Sequence, residues 1–445
     1  MNDFAPRRRL EVWRRWSTGF RTRVGVLAQN RQGVFFQYDH AYLSRHPSLS
    51  PFTLPFDAGL HQAPATPHEG LHGVFADSLP DGWARMLMDR VFRQRGIVPN
   101  QLTTMDRLAY VGQRGLGALE YVPGSEYPMA VEARLDIWEA GEQARAVFDA
   151  EREDVPSNLT FGVSSGGARP KIEMYLPTGG DLSQAGLHPA PGHEAWLVKF
   201  TSASLPLGHE EGLCEAAYLT MAKEAGIETP EWRLLPVPPS QTRRTSPATA
   251  WLALKRFDCS PGGGRFHLHS LAGLLDADFR APTMDYEDLI KASQALCASA
   301  AVGQTQFARA VFNLLAANQD DHTRNWAFLQ DDDGNWQPTA FYDVTFSPNP
   351  HGEHTTAFLG HGADPPLDAV RRLADQANFA GWRQAREVVD RVTDAIGHWE
   401  RIAAELGVRR ETRRLIERRL SEVRARNKGL LARSVARNIG PVNVP

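Results

Sequence analysis

Cysteine is scarce in this chain. Its three cysteines, Cys214, Cys259 and Cys297, lie far apart in 445 residues and form no C-x-x-C pair. An odd, dispersed set argues against a disulfide framework or a cysteine-built zinc site and fits reduced thiols in a cytoplasm. Long apolar runs are missing too. No stretch approaches the ~20 residues of a membrane-spanning helix, and the arginines near the start lead into no apolar segment of the signal-peptide kind. A cytoplasmic chain with no membrane contact is expected. Charge of one sign is the third absence. With 49 Lys and Arg against 52 Asp and Glu, bulk electrostatics neither demands nor forbids an anionic partner.

What is present is an ordinary globular composition, 42% hydrophobic and 23% charged, with length for two or three domains. The opening, residues 7–16, is basic with interleaved tryptophans and is expected to be a frayed, solvated end. Residues 24–27 and 33–38 read as strands around a turn-prone 30–33. Residues 75–95 carry a helical pattern in which Leu79-Pro80-Asp81-Gly82 is the entry turn and Trp83, Leu87, Val91 and Phe92 have core spacing. No catalytic chemistry is evident here, so residues 1–125 are expected to form an accessory unit that packs on or gates the rest. Composition shifts near Pro123, and a helix is expected within 135–153.

Chemistry-bearing residues begin with the small-residue loop at 162–171, which precedes the alternating Ile172, Met174 and Leu176. Such a loop lets backbone N–H groups approach a polyanion. Lys199 lies inside an apolar strand expected at 196–200, where an ammonium needs an anionic partner or an escape to water. The following helix offers Glu215, with Glu210 and Glu211 as competitors. Strands are also expected at 232–237 and 251–257. Farther on, Asp320 and Asn325 stand in a D-x-x-x-x-N spacing, and Asp343 follows after one apparent hairpin through Asp332-Asp333-Gly334. Base and hard oxygen ligands follow this order in kinase-like phosphotransferases. His351, His354 and His361 fit no compact zinc pattern and are expected in a loop under the cleft. The C-terminal arginines from 409 to 426 interleave with Glu411, Glu417 and Glu422, which reads as a salt-bridged, solvated helix face.

Taken in order, these motifs resemble the HipA family, the kinase toxins of bacterial type II toxin–antitoxin modules. The resemblance runs through Leu79-Pro80-Asp81-Gly82, the Ser164–Lys171 loop, Val198-Lys199, Arg256-Phe257-Asp258, the run from Asp320 to Asn325, and Phe341-Tyr342-Asp343. It implies that Asp320 is the catalytic base, Asn325 and Asp343 the Mg²⁺ ligands, and Lys199 the phosphate-contacting lysine held by Glu215. The nucleotide would be bound by Gly166, Gly167, Ala168, Arg169, Pro170, Lys171, Lys199, His322 and Asn325, with Lys255, Arg256 and Phe257 at the adenine hinge. Ser164 or Ser165 falls where the family carries an autophosphorylated serine. Asp321 departs from the glycine often found there, and its added charge is expected to bear on metal binding or substrate choice. Arg169-Pro170 replaces a Gln-Glu seen in some members.

The expectation is therefore an α+β, bilobal kinase-like fold. Residues 1–125 form the accessory domain, 126–258 the small lobe, and 259–445 a mostly helical large lobe. ATP and Mg²⁺ would be used to phosphorylate a protein serine or threonine, in a translation component such as an aminoacyl-tRNA synthetase. The implied partner is a helix-turn-helix antitoxin, with DNA contacted mainly through it. Two other classes share parts of the pattern. One is a small-molecule phosphotransferase, and the other a non-catalytic co-repressor that binds antitoxin and DNA.

Overall fold

Period-two alternation builds the first unit of the chain. The computed structural model describes residues 4–127, 135–161, 166–238 and 248–432. Its first sheet is antiparallel, in the order β4-β3-β2-β1-β5, from β1 (Arg9–Arg15), β2 (Arg21–Asn30), β3 (Gly33–Tyr38), β4 (His61–Gln62) and β5 (Leu119–Val122). The opening segment is thus not a frayed end. Leu10 and Val12 point into the core, and β1 pairs with both β2 and β5. The arginines around and within the strand disguised the pattern, because the inward-facing position 14 is itself an arginine. Arg14 is 1% exposed. It donates to Gln330 Oε1 at 2.8 Å and to the Asp331 carbonyl at 3.0 Å, so a buried guanidinium ties this sheet to the large lobe.

The second sheet, β6 (Lys171–Pro177), β7 (His193–Lys199), β8 (Trp232–Pro236) and β9 (Ala250–Lys255), is antiparallel in the order β6-β7-β9-β8. Both of its faces are covered. On β9, Leu252 and Leu254 point into the core shared with helix Glu211–Glu224, while Trp251 and Ala253 point into a core with helices Gly82–Gln94 and Ile137–Phe148. Covering both faces turns the expected alternation into a continuous apolar run. Helix Gly82–Gln94 therefore packs with the second sheet although it precedes β5 in the chain. Helix Glu211–Glu224 is buried around most of its circumference, between the sheet and the large lobe, and Gly226 follows it at φ +81°.

The large lobe contains helices Tyr286–Leu296, Ala301–Leu315, Leu367–Gln376, Trp382–Ile396, Trp399–Glu405 and Arg410–Arg426. Its small sheet is β10 (His267–Ser270), β11 (Ala327–Gln330) and β12 (Trp336–Pro338). The expected hairpin is present, but it closes through residues 331–335 rather than a two-residue Asp-Gly turn. The Asp331 carboxylate accepts from the N–H groups of Asp333 and Asn335 and so stabilises the wider loop. On the C-terminal helix Arg413, Arg419 and Arg424 pair with Glu400, Glu422 and Glu417, the salt-bridged face its charge pattern suggests.

Candidate active site

Lys199 is the last residue of β7 and sits opposite Lys171, the first of β6. Both ammonium groups are buried, an arrangement that costs several kcal/mol per ion unless anions meet them. Lys199 Nζ donates to Glu215 Oε1 at 2.6 Å and to Asp343 Oδ1 at 2.7 Å. Burial alone would lower the Lys199 pKa, but these two carboxylates hold it above the ordinary lysine value. In return, Lys199 first, with Lys171 and Arg169, keeps Asp343 ionised far below the usual carboxylate range. The competing acids take other partners. Glu211 pairs with Arg169, and Glu210 accepts from the Arg409 N–H and the Thr412 hydroxyl.

The loop that opens β6 reaches over the same acids. Arg169 lies 3.0 Å from Glu211 and 3.6 Å from Glu215, so Glu215 is shared between a lysine and an arginine. Lys171 Nζ donates to the Gly166 carbonyl at 2.6 Å. Burial, with Lys199 adding to it, brings the Lys171 pKa down to about 8, against the pull of Asp343. Gly167 adopts φ +93°, a conformation that favours glycine. Its N–H donates to Asp81 Oδ1 at 2.5 Å, and its carbonyl accepts from the Trp83 N–H at 3.0 Å. Ser164 and Ser165 lie outside the described residues.

Below the loop, helix Ala301–Leu315 delivers the chain to Asn318, whose side chain bonds Asn313 and Ser347 at 2.8 and 2.7 Å. Asp320 then projects outward, its side chain 68% exposed. Its pKa is raised, first by the partial loss of hydration against the cleft wall and then by the nearby charges of Asp343 and Asp321, with His322 and Arg169 opposing. His322 Nε2 is 3.9 Å from Asp320 Oδ1. Asn325 Nδ2 donates to the Asp320 carbonyl at 2.7 Å, which orients the amide so that its oxygen could meet a hard cation. Asp343 has φ +55°, a strained conformation that a non-glycine residue keeps only where its surroundings over-determine it. Here its carboxylate is held by Lys199.

Asp321 departs from the expectation attached to it. It is 1% exposed and turned away from the cleft. Its carboxylate accepts from the Tyr286 hydroxyl at 2.5 Å, His354 Nδ1 at 2.8 Å, and the N–H groups of Thr355 and Thr356 at 2.8 and 3.2 Å. Its charge is satisfied inside the lobe, which makes it an anchor for the loop. His354 lies under the cleft as this anchor's partner.

In the segment expected to form the hinge, the Arg256 guanidinium is buried against Glu173 at 2.6 Å and Asp258 at 2.6 Å. Lys255 Nζ bonds Glu194 and Glu231 at 2.7 and 3.1 Å. The backbone N–H groups of Lys255 and Arg256 are committed to the carbonyls of Glu231 and Ala195. Both side chains thus secure the sheet, and neither N–H is open to an adenine edge. The Phe257 ring lies 5.6 Å from that of Tyr342.

Two residues at the site were given no role of their own in the sequence reading. Asp81, read as part of a helix-entry turn, holds Gly167 of the loop and forms an ion pair with Arg324. Arg324 sits inside the D-x-x-x-x-N segment, and its carbonyl accepts from the Tyr342 hydroxyl at 2.6 Å. The L-P-D-G run was visible, but an acid in such a run is more often a helix cap. In this structure the Asp81 side chain forms no cap bond.

Family models match both ends of the chain. The HipA-like C-terminal domain matches residues 163–425, and the HipA N-terminal domain matches residues 19–122. No curated protein matches it. Among solved structures, the chain is similar to one in the Shewanella oneidensis MR-1 toxin–antitoxin complex of HipA, HipB and operator DNA. That likeness has 16% identity and a TM-score of 0.65, and it covers 95% of this chain and 97% of that one. A looser likeness, TM-score 0.33 at 13% identity, is to the Helicobacter pylori proinflammatory kinase CtkA, covering 54% of this chain and 91% of that one. The Shewanella likeness shows a common bilobal fold with an N-terminal sheet domain. With the C-terminal domain model spanning more than half of its length, and the N-terminal model matching ahead of it, this chain belongs to the HipA family.

Proposed function

We propose that this chain is an ATP- and Mg²⁺-dependent serine/threonine protein kinase of the HipA type. The observation that carries the reading is the buried Lys199, bonded at once to Glu215 and Asp343, beside a loop that presents Asp320 and Asn325 in kinase order. Kinases pair a strand lysine with a helix glutamate beside a metal-binding aspartate, and Lys199, Glu215 and Asp343 would supply those three groups.

The donor set fits Mg²⁺. Asn325 offers a neutral amide oxygen and Asp343 an ionised carboxylate, the hard ligands that Mg²⁺ takes alongside phosphate oxygens and water. Asn325 and Asp343 would hold the metal, whose chemistry when bound would be neutralisation of phosphate charge. The chain's own residues do the rest. Lys199 and Lys171 present positive charge to the polyphosphate, and Glu215 keeps Lys199 from swinging toward solvent. Asp320 orients the acceptor hydroxyl and takes its proton, a task favoured by its raised pKa. Most of the rate then comes from positioning and from electrostatics set up before the reaction.

The finer reading follows the family. Autophosphorylation would fall on Ser164 or Ser165, and the protein substrate would be a translation component such as an aminoacyl-tRNA synthetase. The Shewanella chain lies in a complex with HipB and operator DNA. On that analogy a helix-turn-helix antitoxin is the partner here, with DNA contacted mainly through it. The test is intact-mass and phosphosite mapping after incubation with ATP and Mg²⁺, beside Asp320→Asn. Phosphate on Ser164 or Ser165 in the wild type alone supports the kinase. If no site gains phosphate and no ATP is consumed with lysate present, the reading fails. ATP consumption only on addition of a small-molecule acceptor would replace it with a metabolite kinase.

A further inference from the structure

The Asp81 carboxylate has two partners drawn from the two halves of the cleft. One is the N–H of Gly167 in the loop over the site, at 2.5 Å, and the other is the Arg324 guanidinium below it. Asp81 itself belongs to neither half. It comes from the turn that enters helix Gly82–Gln94, and its side chain is 14% exposed. Both partners are restrained on their far sides. The Gly167 carbonyl accepts from the Trp83 N–H at 3.0 Å, and Trp83 Nε1 donates to the Lys171 carbonyl at 3.0 Å. Arg324 lies over the Phe279 ring at 4.2 Å, and the Tyr342 hydroxyl donates to its carbonyl. Arg324 precedes Asn325 and Tyr342 precedes Asp343, so a shift of Arg324 bears directly on both proposed metal ligands.

The backbone of the turn is shaped for this approach. Gly82 has φ +45°, and a Cβ there would lie 2.5 Å from the Gly167 carbonyl oxygen. Any side chain at this position would push the loop away. At Gly166 a Cβ would meet Asp81 Oδ1 at 2.9 Å. Gly82 thus admits the loop backbone, and Gly166 leaves room for the Asp81 carboxylate.

From this geometry we infer that Asp81 is a positioning residue of the N-terminal unit, which tethers the phosphate-facing loop to the D-x-x-x-x-N loop and sets their separation for nucleotide. The inference rests on the kinase reading for its nucleotide and on the hydrogen bonds alone for the tether. A staple needed only for folding would behave differently. The Trp83 bonds to Gly167 and Lys171 do not involve the Asp81 side chain, so Asp81→Asn leaves the turn docked and weakens only the charge-assisted link between the loops.

The test uses the full chain as wild type, Asp81→Asn, Arg324→Gln and the double variant. Each is titrated with a fluorescent N-methylanthraniloyl ATP in Mg²⁺ and followed by amide hydrogen exchange of peptides spanning 166–171. Each single variant is expected to weaken nucleotide binding about tenfold and to speed exchange of the loop, with the melting temperature little changed. The double variant is expected to be no weaker than the worse single, because both remove one shared interaction. Affinity and exchange equal to wild type, or losses that add independently, overturn the tether. Should Asp81→Asn fail to fold, Arg324→Gln carries the same comparison. If the wild type binds no nucleotide, the kinase reading falls, and exchange of the loop still decides whether Asp81 holds it.

Discussion

Asp320 and Asp321 are chemically identical neighbours on opposite faces of one loop. Asp320 projects into the cleft with one weak neighbour, His322 at 3.9 Å. Asp321 points inward to Tyr286, His354, Thr355 and Thr356. An extended chain sends consecutive side chains to opposite sides, so an outward-facing carboxylate and an anchoring one can follow each other. The difference shows that a charge count around a site says little until each charge is assigned to a face.

The largest expected effect lies on the open face. Asp320→Asn should lower phosphotransfer by about 10³-fold, within the range for losing a general base, and leave the unfolding midpoint near that of wild type. Single-turnover phosphorylation and denaturant titration on the same sample measure both. A rate unchanged by the substitution would remove Asp320 from the role of base. Because its pKa is raised, the acid limb of kcat/KM should also lie above the ordinary carboxylate value.

The buried face should respond in the opposite sense. Asp321→Ala leaves the Tyr286 hydroxyl, His354 and two backbone N–H groups without their acceptor, and should cost roughly 3 kcal/mol of stability. Equilibrium unfolding in urea reads this directly. If Asp321→Ala were as stable as wild type and lost only activity, the contrast between the faces would collapse.

A pH dependence tests the other side of the cleft, where Lys171 is buried. Burial brings Lys171 down to about 8, whereas the unfolded chain binds the same proton up to the ordinary lysine value. Between those values the unfolded state holds more protons, so this group's contribution to stability rises as pH increases from about 8. Bound triphosphate acts in the other direction and draws the proton back onto Lys171. Nucleotide affinity should therefore be about tenfold weaker at pH 9 than at pH 7, with proton uptake on binding near pH 8. Calorimetry in two buffers of different ionisation heat measures that uptake, and Lys171→Arg should abolish it.

The smallest effect belongs to neither face. On the outer helix Glu422→Ala removes the partner of Arg419 at 3.2 Å and should change stability by less than about 0.5 kcal/mol, as is usual for a solvated pair. A loss comparable to Asp321→Ala would mean that the arginine-rich helix is more than a salt-bridged surface.

Much of this arrangement was legible in the residues. Ile172, Met174 and Leu176 alternate and are buried on β6, the glutamate chosen for Lys199 is the one that holds it, and the chain turns at Gly226 as its composition suggests. What misled the reading were charged residues in buried positions. Arg14 hid a central strand because arginine at an inward position breaks the apolar alternation, and its partners, Gln330 and Asp331, lie some three hundred residues away. The charge of Asp321 seemed to belong to the cleft because nothing local reveals the hydroxyl, imidazole and amides that surround it.

Local spacing, then, was sufficient for most strands other than β1 and for the order of Lys199, Glu215, Asp320, Asn325 and Asp343, since each depends on periodicity or on neighbours within a few turns. Which carboxylate faces the cleft, which arginine is buried, and how a turn in the N-terminal unit comes to hold both loops were decided only by tertiary structure. Those outcomes depend on hydrogen bonds between distant segments. A buried charge is stable only where such partners converge on it, and sequence spacing carries no record of that convergence.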